Sequence, residues 1–104
     1  MTIQVQKFGK VLNARPAGRE AFLAIRPSLP SHNVDAGSDR GKTEDIIIDF
    51  DGVEVLTPSF ADEFVTPLTQ LYPGRISFAN TENITVRKTL AFLSEDWPKG
   101  TYQS

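Results

Sequence analysis

The chain of 104 residues contains no cysteine and one histidine, His32. The absence of cysteine excludes a disulfide framework and every metal site that uses thiolate ligands. A metal site needs three or four convergent ligands, and no such set accompanies His32 in the sequence. We therefore expect no cofactor and no metal, and we interpret His32 as a solvated loop residue.

Neither a concentration of positive charge nor a long apolar run is present. Lysine and arginine total 11 against 13 acidic residues, for a net charge of −2, and they are scattered along the chain. A nucleic-acid-binding domain usually carries a basic stripe, so we expect no nucleic-acid partner. No apolar run approaches the roughly 20 residues of a membrane span, and the first ten residues alternate instead of resembling a signal peptide. These features predict a cytoplasmic protein with no membrane contact.

Hydrophobic periodicity predicts alternating strands and helices. Ile3 and Val5 alternate with polar residues, which is typical of a half-buried strand. The continuous run Ile46–Ile48 predicts a central parallel strand that is buried on both faces. Helices are predicted at about 16–26, at 58–71 and after a cap at Asn83, and a further strand at 75–79. The order predicts an α/β fold, a small mixed sheet of about four strands covered by about three helices.

The chain is long enough for one domain, which we place at residues 1–104. Residues 27–44 are rich in proline, glycine and serine and predict a long mobile loop. Residues 95–104 form a polar tail that contains two aromatic residues, Trp97 and Tyr102.

The most informative segment is "IIIDFDGVEVLTPSFADEF", which spans residues 46–64. Thr57 is a typical N-cap residue, and Pro58 suits the first position of the helix that follows. Asp62 and Glu63 then lie near the positive end of the helix dipole. Ser59 could serve as a second capping hydroxyl or as a site of regulated phosphorylation.

The first half of this segment resembles the first motif of haloacid-dehalogenase phosphatases, an apolar strand followed by Asp-x-Asp-Gly. The resemblance implies that Asp49 would attack a phosphoryl group while Asp51 donates a proton, with Mg²⁺ bound beside them. However, the short chain that follows offers no acid-rich strand end to complete the metal site. We therefore treat phosphatase activity as the least favoured hypothesis and expect no enzymatic activity.

The whole segment resembles the STAS domain of anti-sigma-factor antagonists, in which Asp49, Gly52 and Val53 match the family pattern. It is more similar still to a STAS-like family of small bacterial domains with no assigned activity. The motifs of that family are "DFDGV" at 49–53 and "SFADE" at 59–63, and the resemblance extends to Gly18, to "AR" at 14–15 and to "NITVRKTLAFL".

The resemblance implies a STAS-like fold and a regulatory role without catalysis, in bacterial signalling or gene regulation. Ser59 falls on the position that is phosphorylated in the antagonists, so Ser59 and Thr57 are the possible phosphoacceptors or switch residues. The helix beside that serine is the contact surface in those proteins, which implies that Asp62, Glu63 and Asp51 face a protein partner. A histidine-kinase-type ATPase is one implied class of partner.

A second hypothesis is a module that binds a small ligand. Crevices at the carboxyl ends of parallel strands are common ligand sites, and Asp49, Gly52 and Thr57 would lie near such a crevice.

Overall fold

The computed structural model describes residues 1–30 and 45–97, together with the backbone of residues 102–103. Strands and helices alternate along the chain, with short 3₁₀ segments at Val5–Phe8 and Arg26–Ser28. The strands are β1 (Thr2–Gln4), β2 (Val11–Leu12), β3 (Ile46–Asp49), β4 (Val55–Leu56), β5 (Ile76–Ala79) and β6 (Tyr102–Gln103). The α-helices are α1 (Arg15–Ile25), α2 (Pro58–Leu71) and α3 (Ile84–Ser94).

Four of these strands form the main sheet in the order β1-β3-β5-β6, and β2 pairs with β4 in a separate two-stranded sheet. In the main sheet Ile3 is opposite Ile48, and Ile48 is opposite Phe78. This arrangement confirms the predicted α/β class, and its helices and small parallel sheets are consistent with a STAS-like fold. The sheet was predicted to be mixed, but every pairing among the described strands is parallel.

One face of the main sheet is buried and the other is open among the described residues. Ile46 and Ile48 are fully buried, whereas Ile47 between them is 37% exposed. In register with Ile47 lie Thr2, which is exposed, and Ser77, which is half-buried. The prediction that this run is buried on both faces is therefore wrong. Strands β1, β3 and β5 follow one another in a single direction, and right-handed crossovers of that kind place all the connecting helices on the same face.

Helix α2 begins and ends where the sequence predicts, and α1 is displaced by one residue from the predicted range. The cap of α3 is also confirmed, because the Asn83 side chain accepts hydrogen bonds from the backbone N–H groups of Thr85 and Val86. Two threonine side chains of α3 are also hydrogen-bonded to the backbone of β4. The Leu56 N–H donates to the Thr85 hydroxyl at 3.0 Å, and the Thr89 hydroxyl donates to the Leu56 carbonyl at 2.8 Å.

The beginning of the predicted polar tail belongs to the core. Trp97 is only 9% exposed, its ring stacks on Phe78 at 6.3 Å, and its indole N–H donates to the Thr66 hydroxyl. His32 and most of the predicted loop at 27–44 lie outside the described residues. No helix within the described ranges is long and apolar enough to cross a membrane.

Candidate functional site

The two-stranded sheet sets α1 and α2 side by side with their first turns adjacent. Because β2 and β4 are parallel and each leads into a helix, both helices begin at the same end of this sheet. Thr57 fixes the start of α2. Its backbone N–H donates to the Leu12 carbonyl at 3.0 Å, and its hydroxyl donates to the same oxygen at 3.2 Å. The Thr57 hydroxyl oxygen also accepts from the Phe60 N–H at 3.4 Å, which confirms the predicted N-cap.

Ser59 lies on the first turn of α2 and is half-buried. Its hydroxyl makes no hydrogen bond with any described residue. Thr57 therefore caps the helix without help from Ser59. Since Phe60 is buried in the core, the turn that carries Ser59 is held firmly on its inner side.

Arg15, the first residue of α1, joins the two helices through both acids of the second motif. One guanidinium nitrogen, Nη1, lies 2.9 Å from Asp62 Oδ2 and 2.9 Å from Glu63 Oε2. The hydrogen bond to Asp62, followed by that to Glu63, raises the pKa of Arg15 above its ordinary value. Asp62 and Glu63 lie beyond the first turn of α2, and their carboxylates offset the unfavourable position of Arg15 at the positive end of the α1 dipole. We call Arg15, Ser59, Asp62 and Glu63 the helix-start cluster.

The backbone immediately before Arg15 is in an unusual conformation. Ala14 has φ +78° and ψ 134°, a region that residues with a side chain rarely adopt. Such conformations persist only where the surroundings hold them in place. Ala14 thus turns the chain sharply from β2 into α1, and Arg15 follows directly from that turn.

Asp49 ends β3 and ties it to the end of β5. Its Oδ1 accepts from the Asp51 backbone N–H at 2.9 Å and from the Asn80 side-chain amide at 2.7 Å. Asn80 has φ +56°, which asparagine tolerates better than most residues. Asp51 is exposed in the turn that follows, and no hydrogen bond or ion pair between described residues joins its side chain to the helix-start cluster. No three His, Cys, Asp or Glu side chains among the described residues converge as metal ligands.

Two open cavities can be described on the surface. One, of about 270 Å³, is lined by Phe78, Thr81, Arg87 and Leu90. The other, of about 330 Å³, is lined by Pro16 and Arg19 with Arg15 and Glu63 of the helix-start cluster. Neither of the two is lined by Asp49, Gly52 or Thr57, so neither corresponds to the crevice predicted for a ligand.

The structure groups part of the predicted site. Asp62 and Glu63 both bind Arg15 and follow Ser59 by three and four residues on α2, whereas Asp51 belongs to another turn. The sequence pattern did not reveal the pairing of Arg15 with both acids, because the contact crosses 47 and 48 residues of chain. Asn80 was also missed, although asparagine adopts positive φ more readily than most residues do.

The comparisons with curated proteins and with solved structures found no match. A scan against family models did: the model described as STAS-like domain of unknown function (DUF4325) matches residues 39–85. That range contains both sequence motifs and the whole of α2, but it does not reach back to Arg15 and Gly18. The match confirms the resemblance inferred from "DFDGV" and "SFADE". Residues 39–85 of the chain therefore match a STAS-like domain of unknown function.

Proposed function

We propose that this chain is a non-catalytic regulatory module that docks a protein partner at the helix-start cluster, with Ser59 as its switch. The observation that carries the proposal is the difference in role between the hydroxyl groups of Thr57 and Ser59. Thr57 accepts the capping hydrogen bond, while the Ser59 hydroxyl has no hydrogen-bond partner among the described residues. A serine hydroxyl that makes no hydrogen bond to a described residue, on an ordered first turn, can be phosphorylated without breaking such a contact.

The charges around Ser59 are compatible with a phosphate. Asp62 and Glu63 follow Ser59 by three and four residues and therefore share its side of the helix. Alone, these two carboxylates would repel a phosphate. Arg15 offsets this repulsion because its guanidinium already contacts both carboxylates. A phosphoryl group at Ser59 would compete with them for Arg15 and gain from the positive end of the α2 dipole, so phosphorylation would change the charge pattern that a partner meets.

The partner class comes from the resemblance to anti-sigma-factor antagonists. A histidine-kinase-type ATPase that contacts the first turn of α2 is the partner we propose, and a cytoplasmic role in bacterial signalling or gene regulation follows. Thr57 is a weaker phosphoacceptor candidate because its hydroxyl is hydrogen-bonded to Leu12 and Phe60.

Affinity capture from the source cell tests the proposal. The full chain is used as bait in four forms: wild type, Ser59→Ala, Ser59→Asp and Ser28→Asp. Ser28 is an exposed serine in the 3₁₀ segment after α1, so it is a matched control for the added charge. The proposal predicts one co-purifying protein whose recovery changes with Ser59→Asp and not with Ser28→Asp. Equal recovery by all four forms would contradict it.

A further inference from the structure

The cavity of about 270 Å³ between the end of β5 and α3 shares no residue with the helix-start cluster. It is lined by Phe78, near the end of β5, by Thr81, two residues beyond that strand, and by Arg87 and Leu90 of α3. It therefore lies close to the carboxyl end of a parallel strand, a position where α/β proteins often bind ligands.

The cavity has a firm apolar surface. The Phe78 ring contacts the ring of Phe50, at a centroid distance of 6.2 Å, and that of Trp97, at 6.3 Å. Leu90, which also lines the cavity, is buried. Since neighbouring core rings hold Phe78, little side-chain freedom would be lost when a planar apolar group packs against it.

The polar groups of the cavity are one cation and one hydroxyl. Arg87 is exposed and makes no ion pair with any described carboxylate, in contrast to Arg15 and Arg75. Thr81 is half-buried, and its hydroxyl makes no hydrogen bond with a described residue. A guanidinium with free donors matches the geometry of a carboxylate, and a hydroxyl can donate to the same anion.

We infer that this cavity binds a small carboxylate with a planar apolar body. The apolar body packs on Phe78 and Leu90, and the carboxylate pairs with Arg87 and Thr81. The volume lies below the range of about 300–1,000 Å³ that is usual for drug-sized ligands, which limits the ligand to a single ring with a short acidic arm.

The test uses sodium phenylacetate as the probe and the backbone amide signals of the ¹⁵N-labelled full chain as the readout. Two further probes separate the two halves of the ligand: acetate carries the anion alone, and 2-phenylethanol carries the ring without charge. The variants are Arg87→Gln, Thr81→Val and the control Lys88→Gln, which removes a neighbouring exposed cation that does not line the cavity. An unchanged pattern of signals outside the cavity verifies that each variant is folded.

Saturable shifts at Thr81, Arg87 and Leu90 with a Kd of about 1 mM are expected for a ligand of this size. Arg87→Gln should raise the Kd roughly tenfold, because a charge-assisted hydrogen bond is lost. Thr81→Val should raise it by a smaller factor, Lys88→Gln should leave it unchanged, and both half-probes should bind more weakly. The inference is overturned if phenylacetate gives no saturable shifts at these residues, or if Lys88→Gln weakens binding as much as Arg87→Gln does.

Discussion

Gly18 of α1 lies against the backbone of Phe60 in α2, so close that a methyl group at Gly18 would clash with the Phe60 carbonyl oxygen. The same methyl group would be 3.0 Å from the carbonyl carbon and from the α carbon of Phe60. None of these atoms can turn away as a side chain would. The close approach of the two helices that brings Arg15 to Asp62 and Glu63 therefore depends on glycine at position 18.

Replacing Gly18 with alanine should destabilise the fold. Alanine is favoured over glycine inside a helix by about 1 kcal/mol, but forcing α1 away from α2 should cost about 1–3 kcal/mol beyond that gain. The measurement is urea unfolding, with Ala17→Ser at the exposed neighbouring position as the control. A Gly18→Ala protein as stable as the wild type would show that the contact with Phe60 is not tight.

The two hydroxyls at the start of α2 should differ in their effect on stability. Thr57→Val removes the cap and the hydrogen bond from the hydroxyl to Leu12 without changing the size of the side chain, so the free energy of unfolding should fall by about 0.5–2 kcal/mol. Ser59→Ala removes no hydrogen bond to a described residue and should change stability by less than about 0.5 kcal/mol. Both values come from urea unfolding at neutral pH. A larger loss at Ser59 than at Thr57 would reverse the assignment of the cap.

Two neighbouring isoleucines of β3 should also differ in how much stability is lost when each is replaced by alanine. Ile48 is completely buried, and its replacement by alanine should cost about 2–5 kcal/mol. Ile47 lies on the open face, so Ile47→Ala should cost roughly 1 kcal/mol, mainly through lost β propensity. Chemical denaturation of both variants measures the difference. Equal losses would mean that the open face is covered in the folded protein.

Tyr72 should make the fold sensitive to alkali. Its side chain is 3% exposed, its hydroxyl donates to the Pro30 carbonyl, and burial raises its pKa above the ordinary value of about 10. A raised pKa means that the folded state holds the proton more tightly than the unfolded state. The stabilisation is therefore complete below about pH 10 and is lost as the pH rises through the folded-state pKa.

The Tyr72→Phe variant isolates this effect, because it lacks the ionisable hydroxyl. Wild type should lose stability relative to Tyr72→Phe in urea unfolding as the pH rises from about 10 to about 12. A difference between the two proteins that stays constant over that interval would show that the phenol is not buried.

Local chemistry in the sequence predicted much of the candidate site, and tertiary contacts account for what it missed. The cap at Thr57 and the extent of α2 follow from residue types within a few positions of one another. The exposure of Ile47 could not be predicted from its apolar neighbours, because it depends on which face the crossover helices cover. The pairing of Arg15 with Asp62 and Glu63 depends likewise on how α1 approaches α2.

The most direct measurement of the central claim is photo-crosslinking in the source cell from a light-activated residue at position 58. Pro58 is exposed and adjacent to Ser59, and the N–H restored by its replacement lies at a helix start, where such groups have no helical partner. Position 28, exposed beyond the far end of α1, carries the same residue as the control. Docking at the helix-start cluster predicts one discrete crosslinked protein from position 58 that is not obtained from position 28. The same product from both positions, or from position 28 alone, would contradict the assignment of the docking surface.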